Sequence, residues 1–452
     1  MNIIIVGCGK VGSTLAKQLS KEGHDISIID INDKVVEEFS NSHDVMGIVG
    51  NGAAYSIQKS AGIEKAHLLI AVTGSDELNL LCCLIARKAG NCETIAKVRN
   101  PIYYKEIGFI KEELGLSMVI NPDYEAASEI ARILRFPSAI DINVFNKGSV
   151  ELLSFKLEKG SILHDMKVQE IRAKLKFDIL VCMVERGEEV IIPNGEFILK
   201  ENDIISIIAP HKKATEFFVK IGMIKNPVKN SMLIGGGDIS YYLAKRLIKY
   251  GIDVTLVEKD EKRCEELSEL IPEAMIIHGD GTDKDLLMEE GITHAESFAS
   301  LTGLDEQNVL LSLHANNNMN GKIITKVNRI TFDEVINNLN LGSIIYPKFT
   351  TMRYILKYVR AMNNSIGSNV ETLYKIKNDK AEALEFYVNE NSKLVGIPLE
   401  KLKLKDNLII CYIKRKGEII TPNGQDCIKK GDYVIVVTTN VGLQDLSDIL
   451  RS

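Results

Sequence analysis

Six residues near the amino end, Gly7-Cys8-Gly9-Lys10-Val11-Gly12, have the types and spacing of a turn that brings backbone against a phosphate group. They follow the apolar run 3–6 and precede a stretch in which Val11, Leu15 and Leu19 share one face at helical spacing. The turn therefore joins a strand to a helix. Glycine at the first position permits the tight turn, and at the second it lets backbone approach a pyrophosphate. The third lets helix pack closely on strand, and the helix start offers unpaired N–H groups to the anion. Asp30 lies 18 residues beyond Gly12, at the end of the next apolar run, where a carboxylate can accept hydrogen bonds from a ribose diol. The same charge repels a 2′-phosphate, which favours NAD(H) or an adenine nucleotide over NADP. Cys8, inside the turn, reads as a small residue tolerated there rather than as a nucleophile.

The elements that must position these residues follow from the hydrophobic pattern. Further apolar runs at 26–29, 45–49, 68–72, 94–98 and 118–120 alternate with amphipathic stretches. That pattern predicts an α/β fold, a doubly wound (Rossmann-like) parallel sheet with crossover helices. A long helix is predicted from Asp76 through Leu80, Leu84 and Ala89, capped by Ser75 or Asp76. Gly50-Asn51-Gly52 follows the third strand and Thr73-Gly74 the fourth, both at the carboxyl edge where open α/β sheets bind ligands. Plain turn residues are the alternative there. Arg99 closes the fifth strand, in reach of a phosphate or a neighbouring subunit, or simply solvated.

The whole pattern then returns. Gly7, Gly9, Leu15, Ala16 and Asp25 recur 228 residues later as Gly235, Gly237, Leu243, Ala244 and Asp253. After one inserted residue the register is 229, with Gly50, Thr73, Gly74, Asp76 and Asn79 answered by Gly279, Thr302, Gly303, Asp305 and Asn308. The second copy offers apolar runs at 232–234, 254–257, 275–277, 298–301, 323–327 and 344–345. One module has been duplicated, so a site in one copy must be sought in both.

Beyond 136–137 and 362–363 the texture changes. Segments 140–148 and 363–369 read as polar connectors. Each is followed by a small α/β lobe with short strands, at 180–184 and 204–208 and again at 408–413 and 433–437, around the turns Pro193-Asn194-Gly195 and Pro422-Asn423-Gly424. The expected division is 1–140, 141–225, 226–365 and 366–452.

Bulk composition narrows the function classes. The chain has 452 residues, is 45% hydrophobic and 26% charged, and carries a net charge of -6, a balance that disfavours nucleic acid as the main partner. No apolar stretch approaches the roughly 20 residues of a membrane-spanning helix. The eight cysteines show no CxxC spacing and are read as sharing no pattern between the copies, so reduced thiols without a metal role are expected. The eight histidines form no HExxH pair. No His–Asp or Lys–Tyr arrangement suited to hydride transfer is recognisable, and a duplicated nucleotide fold without catalytic partners reads as a sensor rather than an enzyme. An NAD-dependent oxidoreductase is the rival reading.

Gly7–Gly12, the stretch 61–66 leading to Ala71-Val72-Thr73, Asp76-Glu77-x-Asn79 and Lys97-Val98-Arg99-Asn100-Pro101 together resemble the RCK (KTN) regulatory domain. The smaller lobes are similar to the RCK C-terminal subdomain. Two full units in tandem resemble the TrkA-type family of peripheral subunits of bacterial Trk potassium uptake systems. The resemblance implies a cytoplasmic protein on the inner face of the membrane, a homotetrameric gating ring beneath a separate potassium-translocating membrane subunit, and binding of NAD(H) and ATP/ADP. Carried onto this chain, the nucleotide positions are Gly7, Cys8, Gly9, Lys10 and Val11 with Gly12, then Asp30, Asn51, Gly52, Thr73, Gly74 and Arg99. In the second copy they are Gly235, Gly236, Gly237, Asp238, Ile239, Glu258, Gly279, Asp280 and Thr302. Asn51 departs from the aspartate usual in the family, which Asp280 keeps. Because Lys10 is replaced by Asp238 and Gly12 by Ser240, the first site is expected to bind pyrophosphate ligands about tenfold more tightly.

Overall fold

A computed structural model of the chain describes all residues other than 136–138, 146–149, 178, 224–227, 329–338, 366–369, 377–379, 390, 391, 393, 441, 444 and 452. In chain order the first copy contributes β1 (Asn2–Val6), β2 (Asp25–Asp30), β3 (Met46–Val49), β4 (Leu68–Ala71), β5 (Glu93–Lys97) and β6 (Met118–Ile120). Its small lobe adds β7 (Ala139–Phe145), β8 (Val150–Lys156), β9 (Leu180–Arg186), β10 (Glu189–Ile191) and β11 (Ile204–Pro210). The second copy supplies β12 (Asn230–Ile234), β13 (Asp253–Glu258), β14 (Met275–His278), β15 (Ser297–Ser300), β16 (Lys322–Lys326) and β17 (Ser343–Ile345). Its lobe ends the chain with β18 (Val370–Ile376), β19 (Ala381–Tyr387), β20 (Leu408–Arg415), β21 (Glu418–Ile420) and β22 (Tyr433–Thr438).

The chain forms two compact units, residues 1–134 with 228–356 and residues 135–227 with 357–452. The first unit holds both Rossmann sheets. Their orders, β3-β2-β1-β4-β5-β6 and β14-β13-β12-β15-β16-β17, are the same and all pairs are parallel. Each order reverses beside its first strand, so that strand and the fourth open a crevice at their carboxyl ends. The predicted helix at 76–89 is Asp76–Gly90, capped by Ser75, whose hydroxyl accepts from the Leu78 N–H at 3.1 Å.

The two copies share a core. Asn121 caps the helix Pro122–Arg135 by accepting from the N–H groups of Asp123 and Tyr124, both at 3.0 Å, with Pro122 at the first position where its missing N–H costs nothing. Ala126, Ala127, Ile130, Ala131 and Leu134 line one face of this helix and are buried with Leu233, Leu243, Ala244, Leu247, Leu256 and Ile324 of the second copy. Polar contacts fix the register. Arg246 donates to the Tyr124 hydroxyl at 2.6 Å, Asn121 to Tyr242 at 3.2 Å, and Arg132 to Tyr354 at 3.0 Å.

The second unit carries two antiparallel sheets, β10-β9-β11-β8-β7 and β18-β19-β22-β20-β21. The segment expected as a polar connector at 140–148 is instead largely β7, which pairs with β8 along its length. Alternating Ile140, Ile142, Val144 among polar residues is a strand pattern, and its Asn and Asp masked it. At 363–369 the helix Pro347–Ser365 runs into the expected connector. Positions 146–148 and 366–369 of those segments lie outside the described residues. One core contains Phe145, Leu152, Cys182 and Met183 together with Ala383, Cys411, Tyr412 and Ile435, so the two lobes are packed on each other. Cys182 and Cys411 stand 229 residues apart, which corrects the expectation that no cysteine recurs between the copies. Both are fully buried, and burial with the adjacent Cys182 pushes the Cys411 thiol far up. Each lobe is also pinned by a repeated ion pair. Arg186 grips the buried Asp203 with both contacts at 2.8 Å, and Arg415 grips the buried Asp432 at 2.8 and 3.0 Å.

Truncating Leu134 to alanine removes a buried side chain of the shared core and should destabilise the first unit by about 2–4 kcal/mol. Because the core is common, both Rossmann copies should lose structure in one transition, followed by hydrogen exchange of β1 and β12 amides. Loss of protection in β12 alone would contradict a shared core.

Candidate functional site

The first glycine turn sits at the carboxyl end of β1. Gly7 has φ +103°, and a Cβ there would lie 3.1 Å from the Thr73 backbone nitrogen, so only glycine fits between β1 and the β4 exit. A Cβ at Gly12 would lie 1.8 Å from the Gly7 carbonyl oxygen, which is why helix and turn can touch. The helix Lys10–Lys21 starts from Gly9 with no side-chain cap, leaving its first N–H groups for a ligand. Leu15, Ala16 and Leu19 bury its other face.

Asp30 closes the turn from β2. Its Oδ2 accepts from the Cys8 N–H at 2.6 Å and its Oδ1 from the Asn32 N–H at 3.0 Å. A carboxylate has about four acceptor positions, so this arrangement fixes Asp30 and still leaves capacity for a ribose diol. Cys8 itself is buried, and burial and the neighbouring Asp30 push its thiol up to about 11. Its part in the site is the backbone N–H.

Around the turn lies a cavity of about 610 Å³, within the range of small-molecule sites. Gly7, Gly9, Lys10, Val11, Asp30, Gly52, Thr73 and Gly74 line it, as the sequence suggested. Asn51 does not: its Oδ1 accepts from the Ala53 N–H at 2.9 Å and shapes the turn that presents Gly52. Gly52 forms the floor, since a Cβ there would meet Val6 at 2.2 Å. Arg99 is absent from this lining and lies in the second site. Two lysines that sequence reasoning missed are present, Lys97 and Lys348. Lys97 donates to the Val72 carbonyl at 3.4 Å, and burial holds its ammonium below the usual range. Lys348 comes from the second copy.

The second cavity, about 600 Å³, is built on the same plan. Gly235 has φ +97°, and the helix Asp238–Lys249 starts from Gly237 without a side-chain cap. Glu258 takes the Asp30 role: Oε2 accepts from the Gly236 N–H at 2.5 Å and Oε1 from the Asp260 N–H at 2.8 Å. Gly235, Gly236, Gly237, Asp238, Ile239, Glu258, Asp280 and Thr302 line the space; Gly279 does not and lies just before Asp280. Asp280 accepts from the N–H and hydroxyl of Thr282 at 2.9 and 2.8 Å, which holds its carboxyl below the usual range. Ser240, which replaces Gly12 in the second turn, donates its hydroxyl to the Gly235 carbonyl and converts the crowded contact of Gly12 into a hydrogen bond.

Asp238 is not an isolated anion beside the turn. The Arg263 guanidinium donates to it at 3.3 Å and to the Gly236 carbonyl at 2.8 Å. Burial and the nearby Asp123 push the Asp238 carboxyl up, against Arg263 and Arg99. The expected tenfold penalty at the second turn counted Asp238 alone, and here Asp238 is paired with Arg263. Val35 stands at the equivalent place in the first copy, so the repeat gave no signal for it.

Beneath each cavity a buried asparagine holds the fourth-strand exit. Asn79 accepts from the Thr73 N–H and hydroxyl at 2.9 and 2.7 Å and donates to the Lys97 carbonyl at 2.9 Å. Asn308 repeats all three bonds with Thr302 and Lys326. This is the physical content of the Asp-Glu-x-Asn repeat. Asp76 completes it by accepting from the N–H groups of Arg99 and Asn100 at 2.8 and 2.7 Å.

Comparison with known proteins matches this geometry. The TrkA-N domain model matches residues 3–122 and 231–347, and the TrkA-C domain model residues 152–222 and 383–451. The chain is 32% identical to Trk system potassium uptake protein TrkA homolog 1 of Methanosarcina mazei over 96% of this chain and 97% of that protein. The chain belongs to the TrkA family. Among solved structures, the GsuK RCK domain has the same fold at a TM-score of 0.61 and 16% identity, covering 98% of this chain and 93% of that one. The GsuK channel bound to NAD gives 0.61 at 15% identity, over 98% and 77% of the two chains. The expectation of two tandem units, each a Rossmann-like domain followed by a small lobe, agrees with the double match of each domain model. Among the described residues no helix is long and apolar enough to cross a membrane.

Asn79→Ala and Asn308→Ala each remove a buried asparagine that partners a part-buried Thr N–H and a Lys carbonyl, at a cost of about 1–3 kcal/mol. Chemical denaturation checks this; a loss below about 0.5 kcal/mol would show that water replaces the asparagine. Alkylation at neutral pH should spare Cys8, whose thiol stays protonated, and its rapid labelling by mass spectrometry would contradict the burial described.

Proposed function

We propose that this chain is the nucleotide-sensing regulatory subunit of a Trk-type potassium uptake system. In this reading it binds NAD(H) and ATP/ADP and gates a separate membrane subunit that translocates the ion. The observation that carries the reading is the duplicated cavity: the same glycine turn, uncapped helix start and fixed acid stand at equivalent sheet edges of a tandem TrkA-family chain. Gly7, Gly9 and the helix start at Lys10 would hold a pyrophosphate, Asp30 a ribose diol, and Thr73-Gly74 the facing wall. In the second copy Gly235 to Ile239, Glu258, Asp280 and Thr302 take those parts. Bound nucleotide supplies phosphate charge and binding free energy and undergoes no reaction.

The assembly follows the family's plan: a homotetrameric ring on the cytoplasmic face of the membrane, held there by its partner rather than by a segment of its own. We assign the unit of residues 1–134 with 228–356 to sensing and the unit of residues 135–227 with 357–452 to the small lobes, close to the bounds expected from the repeat. A ligand shifts a gate only by its difference in affinity for the two states, and a pair of cavities sharing one core gives such a difference a place to act.

NADH or ATP at a hundred times its Kd should stabilise the protein by about 2.7 kcal/mol through linkage and raise the Tm. Steady loss of NADH absorbance with simple carbonyl substrates, or no Tm shift with either nucleotide, would overturn the reading.

A further inference from the structure

The two cavities are alike in size, about 610 and 600 Å³, so volume does not sort their ligands. Charge does. Among the described residues, the first is lined by Lys10, Lys97 and Lys348 and by one carboxylate, Asp30. In the second, the cations Arg99, Lys259, Arg263 and Lys326 face an equal number of carboxylates, Asp123, Asp238, Glu258 and Asp280. Two of those cations are bound to the site's own acids, Arg99 at 3.1 Å from Asp123 and Arg263 at 3.3 Å from Asp238.

The difference is concentrated at one corner. There the first residue of the phosphate-turn helix meets the residue after the proline that starts the other copy's crossing helix. In the first cavity those positions are Lys10 and Lys348, which also face each other across a smaller adjoining cavity of about 320 Å³. In the second they are Asp238 and Asp123. Two charge reversals at equivalent positions place two lysines at one corner and two acids at the other. Each corner is completed from the opposite copy, so neither cavity's charge belongs to one repeat.

We propose that the cavities take different nucleotides: the first a nucleoside polyphosphate, whose extra phosphate charge Lys10 and Lys348 balance, and the second a dinucleotide, whose fewer charges suit a lining of balanced cations and acids. The assignment rests on the nucleotide-sensing reading and deepens it. A dinucleotide's pyrophosphate, with fewer charges than a triphosphate, gains less from a cationic corner. In the second lining the cations are matched by acids, so a terminal phosphate finds no surplus positive charge to balance it.

Calorimetry on the full-length protein, with ATP and NADH added singly and each after saturation with the other, tests this. Each should bind once per chain without displacing the other. Lys10→Asp should weaken ATP about tenfold and leave NADH within about twofold, with the milder Lys10→Gln moving ATP in the same direction. Asp238→Lys should admit a second ATP per chain that competes with NADH. Unchanged melting temperatures show that the variants are folded. Mutual one-for-one displacement in the wild-type protein, or equal weakening of both nucleotides by Lys10→Asp and Lys10→Gln, overturns the sorting while nucleotide sensing stands. Absence of binding by either nucleotide to the wild-type protein overturns nucleotide sensing itself.

Discussion

The burial of one Rossmann copy's last helix in the core of the other is the constraint on which the first unit depends. Ala127, Ile130 and Leu134 have no exposed alternative in this arrangement: they pack among Leu243, Ala244 and Leu247, and separating the copies would return that surface to water. The same packing carries Asp123, and with it Arg99, to the rim of the second cavity. It also means that residues 1–225 and 226–452 are not independent pieces, although the repeat divides them there. The duplication produced two sites, and the exchanged contacts made them parts of one body.

How much of this could be read beforehand differs by element. The central strands of each sheet were visible as short apolar runs because buried parallel strands are apolar on both faces, and the more exposed edge strands β3 and β14 are apolar runs as well. The glycine turns and their acids were visible because each glycine answers a steric demand that no other residue meets. Arg99 was identified but placed in the wrong cavity, since a strand-end residue read locally belongs to its own sheet and only the helix crossing reveals otherwise. Lys348 was missed for the same reason, compounded by a shift of the repeat register between Pro122 and Pro347. Arg263 left no trace, because it pairs with Asp238 across 25 residues and its counterpart is Val35.

One miss lay within reach. Cys182 and Cys411 obey the 229-residue register, and applying the period to cysteines would have found them. Their meeting in the core of the second unit follows from the packing of the two lobes, where small apolar residues with weakly polar thiols suit a dry interface. The ion pairs Arg186–Asp203 and Arg415–Asp432 tell the complementary story. Each aspartate is buried and each is answered by a bidentate arginine, the arrangement in which removal of one partner is costly and the pair preserves the strand end it caps.

The sensing account joins two statements: nucleotides bind at the paired cavities, and their binding alters what a membrane partner does. The second is tested most directly by potassium flux into liposomes that hold a Trk-type membrane subunit, measured with and without this protein and with ATP, ADP or NADH. The account predicts flux that depends on nucleotide only when the protein is present, and that loses its dependence on ATP and ADP when Gly12→Ala crowds the first turn. Flux indifferent to both the protein and the nucleotide would contradict it.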